Sequence, residues 1–175
     1  MHVTMNASQQ HCILISSGSN IDKEANTIKG LDALHHAFGE LTLSPVYESQ
    51  SVGFKGDNFF NLVIMAYTTK SVKQVCAILK KIEDDCGRLR QSEKFSPRTL
   101  DLDLLTFDDL VCEQPVSLPR DEITHNAFVL QPMADIAPDH VHPSTGKTYA
   151  QMWQQFDKSK QRLWAVPFAW SNMPL

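Results

Sequence analysis

The sequence predicts an α+β domain whose elements run β-α-β-β-α-β, followed by a C-terminal extension. Apolar runs of strand length begin at His11, Leu41, Phe59 and Leu100. Two stretches of helical period, over 22–38 and 71–86, lie between them. Turn residues bound each piece.

The first strand is expected over His11–Ser16, where "CILI" is far too short for a signal or a membrane span. The small residues of "SSGSN" mark the turn that ends it. From Asp22 to Phe38 the chain sets Ile28, Leu31, Leu34 and Phe38 on one side of a helix, with Gly39 as its stop. Leu41, Leu43 and Val46 open a second strand running through Tyr47 toward Val52. After the loop "GFKGDN" comes "FFNLVIMAYTT", the third and most apolar strand. Ser71 caps the second helix, in which Val72, Val75, Leu79, Ile82 and Cys86 share a face; Gly87 ends it. A basic loop, Arg88 to Arg98, leads into the fourth strand. Asp108-Asp109 then reads as a tight turn, "LPRDEITHNAFVLQPM" as a loop entering a short helix, and "KTYAQMWQQF" as a last helix. This order is the split βαβ, or ferredoxin-like, arrangement. Residues 1–175 read as a single domain, with 1–10 and 168–175 as flexible or loosely packed ends.

A chain of 175 residues, 42% hydrophobic and 21% charged, is long and apolar enough to bury a core without staples. Sixteen basic and 20 acidic residues give a net charge of −4, which argues against a nucleic-acid partner. It does not argue against an anionic small molecule, because a local cluster can outvote the net charge. Lys80, Lys81, Arg88, Arg90, Lys94 and Arg98 form such a cluster just before the fourth strand. The four cysteines make no C-x-x-C and are read as reduced thiols of a cytoplasmic protein. The seven histidines have no acid or cysteine at metal spacing and are read as surface residues. No membrane partner is expected.

The informative stretch is "FSPRTLDLDLLTF". Along a strand Leu100, Leu102 and Leu104 share one face, and Asp101 and Asp103 share the other, with Cβ atoms roughly 6.5–7 Å apart. Two like charges at that distance repel by about 0.6 kcal/mol in water, but by roughly 2–3 kcal/mol at an effective dielectric of about 20. A wet polar face would tolerate the pair; a cleft would call for a cation. Upstream, Glu83 sits in the last turn of a helix beside Asp84 and Asp85. Hard oxygen ligands suit Mg²⁺, which takes one or two carboxylates and completes its shell with water and phosphate oxygens. Arginines nearby suit a polyphosphate, gripped bidentately. Phosphoryl transfer needs this combination, although neither a P-loop nor a kinase glycine loop is present.

"SPRTLDLDLLTF" closely resembles the signature of the 6-hydroxymethyl-7,8-dihydropterin pyrophosphokinase family of folate biosynthesis. The resemblance extends to "GSN" after the first strand, "FFN" opening the third, "KIEDDCGRLR" closing the second helix, and "FVLQPMADIAP". It implies a ferredoxin-like core and transfer of pyrophosphate from ATP to the hydroxymethyl group of the reduced pterin, leaving AMP. Asp101 and Asp103 would hold two Mg²⁺ ions on the ATP phosphates. Arg88 and Arg98 would contact those phosphates and take part in catalysis, and Glu83 would help hold the nucleotide. Asn61 would hydrogen-bond the pterin, Phe59 and Phe128 would stack on its faces, and Ser49 and Val52 would line its pocket. A monomer is implied.

Other readings stay open. Phe59 and Phe128 also suit a core, and Glu83 with Arg88 also suits a structural pair. Three positions depart from the family pattern. Arg120-Asp121 stands where a histidine is usual, Asn126-Ala127 where an arginine is frequent, and Phe95 where a tryptophan is common. These departures fall on the nucleotide side and bear on ATP affinity. A pterin-binding paralogue with weak turnover is one alternative, and a ferredoxin-like binding module for RNA or a metal is another. The negative charge counts against RNA.

Overall fold

The computed structural model describes residues 9–49, 58–87 and 99–171. Six strands among them form one sheet in which every pairing is antiparallel: β1 (His11–Ser19), β2 (Thr42–Leu43), β3 (Val46–Ser49), β4 (Phe59–Thr68), β5 (Asp101–Phe107) and β6 (Leu163–Val166). The order across it is β5-β1-β4-β3-β6, with β2 also paired to β4. The helices are α1 (Lys23–Phe38), α2 (Val72–Asp85), α3 (Glu122–His125), α4 (Ala127–Ile136) and α5 (Tyr149–Gln155). No helix among the described residues is long and apolar enough to cross a membrane.

β1 runs through Ser17-Gly18-Ser19, three residues past the expected turn, pairing with β4 from His11–Thr68 to Ser19–Phe60. Its small residues are therefore in mid-sheet, where they leave space over the sheet rather than bend the chain. The expected second strand is two short pieces, β2 and β3. Pro45 has no N–H to give a ladder, and Ser44 Oγ instead accepts the Val63 N–H at 2.9 Å.

α1 and α2 cover one face, burying Ile13, Ile15, Leu31, Leu34, Ile64, Val75 and Leu79 with Leu100, Leu102 and Leu104. The predicted leucine face of the fourth strand is thus in the core. α2 starts on a capping box, Ser71 with Gln74, and is followed by Gly87 at φ +94°, a conformation that favours glycine. α4 and α5 cover the other face with a second cluster: Leu14, Val63, Leu105, Val129, Leu130, Met133 and Tyr149. A register shift between Leu14 and Ile15 leaves Leu105 as the extra residue of β5. Leu105 still follows the alternation and packs in this cluster, on the face of Asp101 and Asp103; the bulge resets the alternation after it, which is why Phe107 packs in the first.

The C-terminal third departs most from expectation. The single short helix expected near 122–133 is two, α3 and α4, separated by Asn126 in extended conformation. β6 was not expected; it adds to β3 from Val46–Val166 to Ser49–Leu163. Within the segment 168–175, read as a loosely packed end, Trp170 is buried and its indole N–H donates to Asp32 Oδ1 at 2.8 Å. His142, read as a surface residue, is also buried; its Nδ1 accepts the N–H groups of Ser144 and Thr145, both at 3.1 Å. All four cysteines are free thiols.

Candidate active site

The site follows from register. Asp101 lies opposite Gly18, and Gly18 opposite Asn61, across β5-β1-β4. On the next rung Asp103 lies opposite Ser16, and Ser16 opposite Val63. Paired residues of antiparallel strands share a face. Both carboxylates and the Asn61 amide therefore lie on the face away from α1 and α2. Gly18 places no side chain between them. A Cβ there would come within 3.5 Å of Asn61 Oδ1 and 4.0 Å of Phe59 Cδ1, so the glycine keeps this part of the sheet bare. α4 covers the remainder of the face and brings Phe128 and Val129 to the edge of the gap, while α3 brings Glu122. The result is an open cleft of ≈ 270 Å³.

Its β3–β4 side is built for a flat, polar-edged molecule. Phe59 and Phe128 supply aromatic surface, and buried Asn61 and Ser49 supply hydrogen-bonding groups. Asn61 Nδ2 donates to Ser49 Oγ at 2.8 Å and to the Tyr47 carbonyl at 3.4 Å, which leaves Oδ1 toward the Gly18 gap as an acceptor. The Tyr47 hydroxyl in turn donates to Asp135 Oδ2 of α4 at 2.5 Å, tying the helix to the strand beneath the slot.

The β5 side gathers carboxylates. Asp101, Asp103 and Glu122 all line the cleft. Burial pushes the Glu122 carboxyl above the ordinary range, and Asp103 and Asp101 push it further against the opposing pull of Arg120. Arg120 Nη2 is 3.3 Å from Asp103 Oδ1, and Arg120 Nε donates to the Leu104 carbonyl at 3.1 Å. Among the described residues no three His, Cys, Asp or Glu side chains could cage a metal by themselves. Two neighbouring carboxylates on one strand fit Mg²⁺ when phosphate oxygens and water complete the shell, and the crowded acids of this cleft gain from such a cation.

Of the residues singled out from the sequence, Ser49, Phe59, Asn61, Asp101, Asp103 and Phe128 come together around the cleft. Val52, Arg88 and Arg98 lie outside the described residues, as does Phe95. Glu83 is not among the lining residues. Its Oε2 accepts the Leu102 N–H at 2.7 Å and so fixes the strand that carries the aspartates. Sequence reasoning missed Ser16, Ser17 and Gly18, taken for a turn, and Glu122 and Val129, which stand in no motif. The sign that could have found Gly18 was the length of the "FFNLVIMAYT" strand, which demands a partner longer than six residues.

Aromatic side chains and a buried amide thus lie beside paired carboxylates on an antiparallel sheet, and a family match makes the chain a transferase of small molecules. Residues 14–138 match the 7,8-dihydro-6-hydroxymethylpterin-pyrophosphokinase (HPPK) family. The chain belongs to that family. It is 35% identical over 159 residues to a 2-amino-4-hydroxy-6-hydroxymethyldihydropteridine pyrophosphokinase of Synechocystis, covering 85% of this chain and 78% of that one. The enzyme of the same name from Bacillus subtilis is 28% identical over 151 residues, 81% of this chain and 89% of that one. Among solved structures, wild-type Plasmodium falciparum HPPK-DHPS superposes with a TM-score of 0.65 at 13% identity, over 84% of this chain and 45% of that chain. This chain thus spans less than half of that longer protein, and at such identity the likeness concerns the fold alone.

Proposed function

We propose that this chain transfers pyrophosphate from ATP to the hydroxymethyl group of 6-hydroxymethyl-7,8-dihydropterin, yielding the pterin diphosphate and AMP for folate synthesis. The observation that carries this reading is the rung Asp101–Gly18–Asn61, which sets a metal-type carboxylate and a ring-reading amide on either side of an open gap. By the spacing of neighbouring strands that gap is roughly 9–10 Å across, room for a bicyclic ring with its substituent directed at the carboxylates. Asn61 and Ser49 orient the pterin edge, Phe59 and Phe128 stack on its faces, and Val52 closes the pocket. Offset aromatic pairs add about 0.5–1.5 kcal/mol beyond burial. Asp101 and Asp103 would hold the two Mg²⁺ ions that the reaction calls for. Bound there, Mg²⁺ supplies neutralisation of the charge on the phosphate oxygens. Arg88 and Arg98 contact the same phosphates. The hydroxymethyl oxygen bonds to the β-phosphorus as the bridge to the α-phosphate breaks, and the side chains contribute mainly by holding these groups in line. Glu83 serves the nucleotide side indirectly, through the strand that it pins.

The four strands β5-β1-β4-β3 with α1 and α2 make a ferredoxin-like core, to which β6 and α3–α5 are added. The chain works as one domain, a monomer in the cytoplasm. Incubating the purified protein with ATP, Mg²⁺ and the reduced pterin, then resolving products by chromatography, tests the reaction. AMP should appear in equal amount with the pterin diphosphate. Pterin binding without AMP would overturn the proposal and leave a pterin-binding paralogue; ADP as the nucleotide product would overturn it too.

A further inference from the structure

Arg120 makes three contacts with β5. Its N–H donates to the Leu105 carbonyl at 2.9 Å, its Nε to the Leu104 carbonyl at 3.1 Å, and its Nη2 lies 3.3 Å from Asp103 Oδ1. The first anchors the backbone and the second the guanidinium along the strand; only the third touches a carboxylate, and it does so with one nitrogen rather than a fork. Both side chains are partly open to solvent, at 29% and 37%. A single partly hydrated contact of this kind is exchangeable, whereas a bidentate buried one would not be. Arginine cannot give up its charge and cannot ligate a metal. A divalent cation arriving at Asp103 must therefore displace Nη2 or share the carboxylate with a positive neighbour.

We infer that Arg120 is a tethered cation that occupies Asp103 in the free enzyme and competes with the divalent metal for it, setting how tightly metal binds before nucleotide arrives. The inference rests on the reading of Asp101 and Asp103 as the metal-holding pair. Arg120 is accordingly a positioning residue: it keeps Asp103 aimed into the cleft and balances part of the charge of Asp101, Asp103 and Glu122. Once displaced, its Nη groups stay beside Asp103 on the Leu104 tether, free to meet a phosphate.

The test is Mn²⁺ binding to the full chain without nucleotide, followed by the paramagnetic resonance of free Mn²⁺. Removing one positive charge from beside the metal in a partly hydrated site should tighten binding on the order of tenfold, so Arg120→Gln should bind Mn²⁺ about that much more tightly than wild type. Arg120→Lys, which keeps the charge, should stay near wild type. The gain should vanish in an Asp103→Asn background, because the competition acts through that carboxylate. Arg120→Met repeats the measurement if the Gln variant does not fold. Unchanged or weaker Mn²⁺ binding in a folded Arg120→Gln or Arg120→Met protein overturns the inference while the metal-site reading stands, provided Asp103→Asn still lowers binding. Wild type and Asp103→Asn binding Mn²⁺ alike would instead remove the metal-site reading, and this inference with it.

Discussion

The Glu83 carboxylate accepts a hydrogen bond from the backbone N–H of Leu102, the residue between Asp101 and Asp103, at 2.7 Å. Among the described residues β5 is an edge strand, paired only to β1, and alternate N–H groups of an edge strand face away from the ladder. Glu83 takes one of them. It thereby locks the last turn of α2 to the segment that carries both acids. An acid in the Glu83 position thus holds the backbone from which Asp101 and Asp103 project.

Glu83→Ala should destabilise the fold by roughly 1.5–3 kcal/mol, the worth of a hydrogen bond to a charged acceptor. Glu83→Gln, which keeps an acceptor but no charge, should lose less. Urea denaturation of the two variants checks this. Equal stability of Glu83→Ala and wild type would show that the contact contributes nothing.

Asp101→Ala and Asp103→Ala should each lower turnover by at least ~10³-fold, since on the proposed reading each removes a ligand of the cation that neutralises developing charge, an effect of several kcal/mol. Their folds should survive, because both side chains face the cleft and not either core. Steady-state rates at saturating Mg²⁺, with circular dichroism on the same samples, decide it. Near-normal turnover in either variant removes the central claim.

How much of this was legible beforehand varies with the kind of residue. The leucine and aspartate faces of β5 could be read from alternation alone, because a strand has only two faces and one was uniformly apolar. The other cleft residues that were named, Ser49, Phe59, Asn61 and Phe128, came from a resemblance, not from periodicity. Gly18 was lost for a physical reason: small polar residues signal turns when local chemistry decides, yet here pairing on both sides, with β4 and β5, imposes the strand. Phe107 could not be assigned its side, since a bulge resets alternation without leaving a mark in composition. β6 and the seat of Trp170 on Asp32 depend wholly on tertiary partners more than a hundred residues away.

Asn61→Ala should weaken pterin binding by roughly 1–3 kcal/mol, the cost of leaving a buried polar partner unsatisfied. It also strips Ser49 Oγ of a donor at 2.8 Å, so part of the loss belongs to the pocket and not to the ring contact. Ser49→Ala separates the two: it should cost less than Asn61→Ala if Asn61 meets the pterin directly. Calorimetry with the reduced pterin, nucleotide absent, gives both numbers. Unchanged affinity in Asn61→Ala would move the pterin elsewhere.

The pH dependence of stability should carry a signature of His142. Burial lowers the proton affinity of this ring below its ordinary value of 6.5. Geometry adds a second reason: Nδ1 accepts two backbone N–H groups, from Ser144 and Thr145, and a proton placed on that nitrogen would face both donors. The unfolded chain takes up a proton near pH 6.5 and the folded one does not until a lower pH. Between those values the unfolded state binds more protons, so stability rises with pH across the window. The contribution is complete above 6.5, is lost as pH falls below it, and levels off once the folded ring is protonated as well. His142→Asn keeps an acceptor oxygen where Nδ1 sits but cannot be protonated. Urea midpoints of both proteins over about pH 5 to 8 should converge or favour the variant at the acid end, with wild type gaining on it as pH rises through 6.5. The remaining histidines are common to both proteins and cancel in the difference. A difference that stays flat across that range would mean that the folded ring titrates like a free one, and that its burial does not exclude the charge.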